Sequence, residues 1–367
     1  MCHRDLSTIV SDPGLCRRPS LRGWAIIAPL LICLCVVAGA LRAADDPLAE
    51  LHRLARVEGI DPAKLRRGDI LSARGTQGSF AHGAYAESCY FIKAPLAKVG
   101  DALLHWDPSK YKEADTTAYT TYRWPAGPET FRRFRLSSAR GDDKALLGWT
   151  QAAATGDEGA LHLTAAERET FRGLLAGKSD PKAREEALNA GWQGVLAQQS
   201  AAMGAGGFAA IPPYKANGGT IHAAAEYRGL LGMTPTTAAH FAGLTGARPL
   251  FPDGEGAADE TLGYAEHSKV NGHNSFGLGV LAARKGAEGW QVVDCTYYTT
   301  DTFFMSVAVY QLWAWEGGTL VWEIDYTSAP FRAYLGGIDR AFASKEISKD
   351  SAGAVRLFRR EVGAAGN

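Results

Sequence analysis

Residues 311–326 read QLWAWEGGTLVWEIDY, two runs rich in aromatic and β-branched residues on either side of Gly317-Gly318. A two-residue type I′ turn needs φ > 0 at both central positions, which glycine adopts at no steric cost. The stretch therefore predicts a β-hairpin with Glu316 opposite Thr319. Trp313 then faces Trp322, Gln311 faces Ile324 and Val309 faces Tyr326. The other face pairs Tyr310 with Asp325, Leu312 with Glu323 and Ala314 with Val321. Carried back through a turn at Thr300-Asp301, this second face gains Cys295, Tyr297, Phe304, Ser306 and Ala308. A slip of one residue would exchange the two faces. Neither face is freely polar, so cover is expected on both sides.

Upstream, LGYAEHSKV meets SFGLGVLAARK across Asn271-Gly272, the strongest short hairpin signal. WQVVDCTYY and DTFFMSVAVYQLWAW follow, which makes five strands in an antiparallel meander. The chain closes in a helix that carries Ile338 and Phe342 early, then Ile347, Val355, Phe358 and Val362 on one face. Near the start, YAESCYFI (85–92) reads as a strand. Pro95 opens a helix with Leu96, Val99, Leu103 and Trp106 on one side, and 116–122 and 131–137 read as further strands. Residues 140–250 are Ala/Gly-rich and mostly helical, with a capping box at Thr164–Glu167.

The 39 Lys+Arg balance 39 Asp+Glu over 367 residues, so no basic surface for nucleic acid is indicated. Residues 24–41, WAIIAPLLICLCVVAGAL, form an uncharged apolar run after Arg17, Arg18 and Arg22. Two readings stand: a signal peptide cut after Ala40 or Ala44, which makes the protein periplasmic or secreted, or a membrane anchor that tethers it. Beyond residue 44 only Cys89 and Cys295 remain, expected as free thiols in strands.

No metal-ligand spacing joins the nine histidines, and no nucleophile elbow, dinucleotide site or complete phosphate loop is present. No catalytic residue, cofactor or metal is assigned. His267 and His273 read as surface residues. Glu323 and Asp325, at i and i+2, project from one side of a strand with Cα atoms about 6.5–7 Å apart. Paired carboxylates at such separations serve as acid and base in glycosidases. Charges on a wet sheet edge are the simpler account.

The stretch 85–108, YAESCYFIKAPLAKVGDALLHWDP, resembles the opening strand, proline-led helix and turn of START-like and polyketide-cyclase-like helix-grip proteins. TLVWEIDYTSAP before the final helix is similar to that family's last strand and grip helix. The resemblance implies an α+β fold in which a curved antiparallel sheet grips a long C-terminal helix. Its parts would be a leading helix and loop (45–83), a first START-like segment (84–138), a helical insertion (139–258), and the meander with its closing helix (259–367). It further implies a cavity for a hydrophobic small molecule or lipid. Contact residues would be Tyr297, Phe304, Tyr310, Trp313 and Trp322, with Glu323 or Asp325 orienting a polar end. The reading is an exported, non-catalytic lipid-binding or carrier protein. Its rivals are a cyclase- or hydrolase-like enzyme using Glu323 and Asp325, and an envelope protein–protein interaction module.

Overall fold

A computed structural model describes residues 46–75, 78, 80–156, 161–216, 219–245, 258–287, 289–331 and 338–364. Residues 24–41, read as a signal peptide or a membrane anchor, lie outside the described residues. Five long strands form the meander: β6 (Glu260–Val270), β7 (His273–Lys285), β8 (Gly289–Thr299), β9 (Met305–Trp315) and β10 (Gly318–Ser328). Three earlier strands, β1 (Leu71–Arg74), β2 (Gly83–Ile92) and β3 (Thr116–Tyr122), complete an antiparallel eight-stranded sheet in the order β1-β2-β10-β9-β8-β7-β6-β3. The fold is α+β.

The Asn271-Gly272 turn forms as its chemistry requires, with φ of 51° and 86° and Val270 paired to His273. The β9–β10 turn does not use the two glycines. It centres on Glu316 and Gly317, at φ 47° and 73°, so Gly318 pairs with Trp315 and Leu320, not Trp322, faces Trp313. Two interactions explain the choice. The Glu316 carboxylate is clamped by the Arg66 guanidinium through two 2.5 Å bonds. Gly318 is needed within the strand, where any side chain would run into the Phe91 ring and the Ile92 carbonyl. The partners shift by two residues, so the face assignments within this hairpin survive.

They do not survive one strand further back. The expected two-residue turn at Thr300-Asp301 is a five-residue loop, because β9 starts only at Met305. Asp294 therefore pairs with Ala308, and Cys295 with Val307. This is a slip of one residue from the expected register, so Cys295 turns to the other face. A bulge between β7 and β8 skips Tyr297, with Leu278 paired to Tyr298 and Gly279 to Thr296. Tyr297 is consequently buried on the same side as Cys295.

Residues 131–137 form no strand. Pro128–Phe131 is a 3₁₀ turn, and Phe131 and Phe134 are fully buried. The Asn189 side chain stands in for a neighbouring strand, accepting from Leu136 N at 2.7 Å and donating to Leu136 O at 2.9 Å.

Helices cover both faces. One side holds α4 (Lys144–Ala154), α5 (Ala165–Leu175), α6 (Pro181–Gly206), α7 (Ala223–Gly232), α8 (Pro235–His240) and α9 (Ala242–Thr245), together with the small ribbon β4 (Tyr214–Ala216) and β5 (Gly219–Ile221). Of these, α4, α7 and α9 pack along β2 or the meander, α6 reaches it with Trp192 against Phe276, and α8 with His240 bonded to Gln311. Two short helices precede β1, α1 (Pro47–Leu54) and α2 (Pro62–Arg66). Across the other face run α3 (Leu96–Leu104) and the long α10 (Ile338–Ala364), which packs on β1, β2 and α3. Ser351, Val355, Phe358 and Val362 recur every three or four residues along α10, Ser344 lies two turns earlier on the same side, and all are buried. Burying each of the three apolar ones is worth about 1.5–3 kcal/mol.

The two histidines expected at the surface are covered. His267 is 1% exposed with Nε2 3.3 Å from Asp143 Oδ1, and His273 lies between Trp149 and Asp301. The segment leading into α4 closes over this end of the sheet. Cys89 and Cys295 are buried free thiols. Three strand spacings separate β2 from β8, about 14 Å, which is beyond disulfide reach.

Candidate functional site

The sheet side chains that face α10 come from alternate positions of seven strands, β2, β3 and β6 to β10. Val321, Glu323 and Asp325 alternate with the core residues Leu320, Trp322 and Ile324 along β10. Tyr90 of β2 lies opposite Val321, Tyr310 of β9 opposite Glu323, and Asp294 of β8 opposite Ala308. Tyr264 and Glu266 arrive on β6, and Tyr119 on β3 pairs with Glu266. Gly279, paired with Tyr264, has no side chain, and the Tyr264 ring occupies the space a Cβ would need.

Between this surface and α10 lies a cleft of about 260 Å³. Leu103, Trp106, Leu281, Val355 and Phe358 form its apolar walls. Tyr90, Tyr119, Tyr264, Tyr310 and the carboxyls of Glu266, Asp294 and Glu323 form its polar floor. Ala354, on the exposed side of α10, sits at the rim.

The floor is partly wired. Tyr90 donates to Glu323 Oε2 at 2.9 Å, and Ser351 of α10 donates to Glu323 Oε1 at 2.6 Å. Tyr264 donates to Asp294 Oδ1 at 2.8 Å and meets Thr296 Oγ1 at 2.7 Å. Ser268 donates to Glu266 Oε2 at 3.0 Å. Tyr119, only 8% exposed, and Tyr310 have no hydrogen-bond partner among the described residues.

Charge is unbalanced here. Among the described residues, no Lys, Arg or His forms an ion pair with Glu266, Asp294, Glu323 or Asp325. The nearest guanidinium, Arg359, lies over the Tyr90 ring at 5.7 Å but donates to the Gly68 and Phe91 carbonyls. Burial pushes the Asp294 carboxyl up to about 7, against the Tyr264 hydrogen bond and with Glu266 adding repulsion. Burial also raises Glu266, and it raises Asp325 strongly, with the neighbouring Glu323 charge acting in the same direction. Among the described residues, no group of three or more His, Cys, Asp or Glu is placed to hold a metal.

The residues named from sequence divide between the two faces. Tyr310 and Glu323 line the cleft, and Asp325 lies one pleat further along β10 without lining it. Neither acid is on a wet edge, since β10 is flanked by β2 and β9. Tyr297, Trp313 and Trp322 belong to the opposite core. Trp313 donates to Glu50 Oε2 at 2.7 Å, Trp322 lies against Phe241, and the Tyr297 hydroxyl is 3.5 Å from that of Tyr122. Phe304 packs with Tyr214, Ala216 and Ile221. The sequence reading missed Tyr90, Tyr119, Tyr264, Glu266 and Asp294. Period-two alternation in β6 and β8 carries the signal, but it needs the register of the five-residue loop before it can be read.

No protein-family profile matches the sequence, and no curated protein matches it. Among solved structures the chain is similar to one described as "Crystal structure of Ara h 8.0201", at 14% identity and a TM-score of 0.21. That match covers 30% of this chain and 71% of the other, and no conclusion about this chain rests on it.

Proposed function

We propose that the protein binds a small, mostly apolar molecule in the cleft beneath α10 and does not transform it. One observation carries this reading. Two tyrosine hydroxyls without partners, those of Tyr119 and Tyr310, face an apolar-walled cleft beside Glu323. A ligand's polar end would hydrogen-bond these hydroxyls. The cleft is slightly smaller than the roughly 300–1,000 Å³ that encloses a drug-sized ligand, so the guest is compact. A sheet wrapped on a long closing helix, as in the helix-grip resemblance, suits the same role. The apolar segment 24–41 supports export to the periplasm or beyond as part of this proposal.

Native mass spectrometry of gently purified protein tests it. The wild type should carry a bound small molecule. Ala354→Trp, which sets an indole across the rim, should be empty while remaining folded. Protein that is free of ligand, and a variant indistinguishable from it, would refute the proposal.

A second reading is favoured by one specific observation. Asp294, whose carboxyl burial pushes up to about 7, and Glu323 line the same cleft, and paired carboxyls can act as acid and base. The pair would then be Asp294 with Glu323, since Asp325 does not line the cleft. Under this reading, ligand recovered from the wild type would differ in mass from ligand recovered from Glu323→Gln. Identical masses would exclude it.

A further inference from the structure

We infer that the guest is a cation, a protonated amine on a compact apolar or aromatic body, with its ammonium seated over Tyr310 between Glu323 and Asp294. The inference rests on the reading of the cleft as a ligand site. Three acidic side chains line one small space, a fourth stands behind Glu323, and none has a cationic partner among the described residues. Hydroxyls of Tyr90, Ser351, Tyr264 and Ser268 donate to these carboxyls, and the Arg359 guanidinium over the Tyr90 ring donates to backbone carbonyls instead.

A bound anion would add to the repulsion. A neutral apolar guest would displace water from the carboxyls and give nothing back. A cation would favour their ionised forms, and the Tyr310 ring would attract it further. Tyr119, more than nine-tenths buried and without a hydrogen-bond partner among the described residues, lines the same space, and its hydroxyl would accept from an ammonium N–H. Phe358, Val355 and Leu103 would take the apolar body. At about 260 Å³ the cleft suits a free amine, not a long-chain lipid.

The test is calorimetric titration of the whole protein at about pH 8, where a carboxyl near 7 is mostly ionised. The probes are 2-phenylethylamine, 2-phenylethanol and phenylacetate, with hexylamine, hexanol and hexanoate as an aliphatic series. Each amine should bind at least about tenfold more tightly than its alcohol, and each carboxylate most weakly. Glu323→Gln and Asp294→Asn preserve side-chain shape. Each should cut amine affinity about fivefold or more and leave alcohol affinity nearly unchanged. Alcohols or carboxylates binding as well as amines would overturn the cation and leave the ligand cleft standing. Binding of no probe at all would remove the cleft as a ligand site, and the inference with it.

Discussion

The Tyr90 hydroxyl donates to Glu323 Oε2 at 2.9 Å across a sequence separation of 233 residues. Their strands are neighbours, with Tyr90 opposite Val321 and Glu323 opposite Ser88. This bond joins the first long strand to the last and fixes one carboxylate oxygen at the cleft floor. Ser351 holds the other oxygen from α10. Sheet, helix and cleft therefore share one buried acid, which is only 4% exposed.

Removing the donor should be costly. Tyr90→Phe leaves Glu323 short of a hydrogen bond in a site with no cation, a loss of about 1–3 kcal/mol. Urea denaturation would show this as a lowered midpoint. Tyr90→Phe combined with Glu323→Leu should recover much of the loss, because both polar partners are then gone. No recovery in the double variant would mean that the tyrosine acts through packing alone.

Stability should also fall as pH rises. Asp294 has a folded pKa of about 7 against an ordinary 3.8, so the folded state holds its proton more tightly than the unfolded state does. The group does not penalise folding at or below pH 3.8, and its full cost is felt above 7. The groups facing it are the hydroxyls of Tyr264, Thr296, Tyr119 and Tyr310 and the acids Glu266 and Asp325, with Val355 and Phe358 opposite on α10. None is a cation that would reverse the sign. Relative to Asp294→Asn, the wild type should lose on the order of 2–4 kcal/mol between about pH 4 and pH 8. Parallel curves for the two proteins across that range would contradict this.

Asp143 behaves in the opposite way. Burial alone would raise its carboxyl, but His267, Asn274, the Ser137 amide and Arg140 together hold it well below the ordinary carboxylate range. Asn274 donates at 2.6 Å and Ser137 N at 2.7 Å, tying the start of α4 to β6 and β7. Its contribution is complete above the ordinary pKa of 3.8 and is lost as pH falls further. Asp143→Ala should cost about 3–5 kcal/mol at neutral pH, as breaking a buried charge network does. A thermal melt near that of the wild type would show that the network is dispensable.

Gly279 makes room for Tyr264. Any side chain there meets the tyrosine ring, so Gly279→Ala should cost about 1–3 kcal/mol by overpacking. The displaced ring would also lose its hold on Asp294, so amine binding should weaken in the same variant. Gly279→Ala with Tyr264→Leu should restore stability without restoring binding. Calorimetry and thermal melts on the two variants separate these effects.

The strands were legible wherever alternation and turn chemistry agreed. Asn271-Gly272 set β6 against β7, and the β9–β10 faces followed from period two even though the turn moved to Glu316-Gly317. Local signals failed where the backbone found a partner outside any ladder, as Leu136 did with Asn189. They failed again at the loop after Thr299, whose length no residue type announces. There one extra residue exchanged Cys295 for Asp294 on the α10 side.

By itself, then, the amino-acid sequence determined an antiparallel meander closed by a helix, with neither face freely polar and with Glu323 and Asp325 on one side of their strand. Hydrogen-bonding chemistry and the two-residue side-chain repeat act over neighbouring residues, so they are written locally. Only the tertiary structure decided which face holds the cleft and which holds the tryptophan core. That choice depends on a loop of five residues, a bulge at Tyr297, and the long-range pairing that brings Tyr90, Tyr119 and Glu266 to the same floor. Such pairings reflect the free energy of the whole packed sheet, which no local pattern encodes.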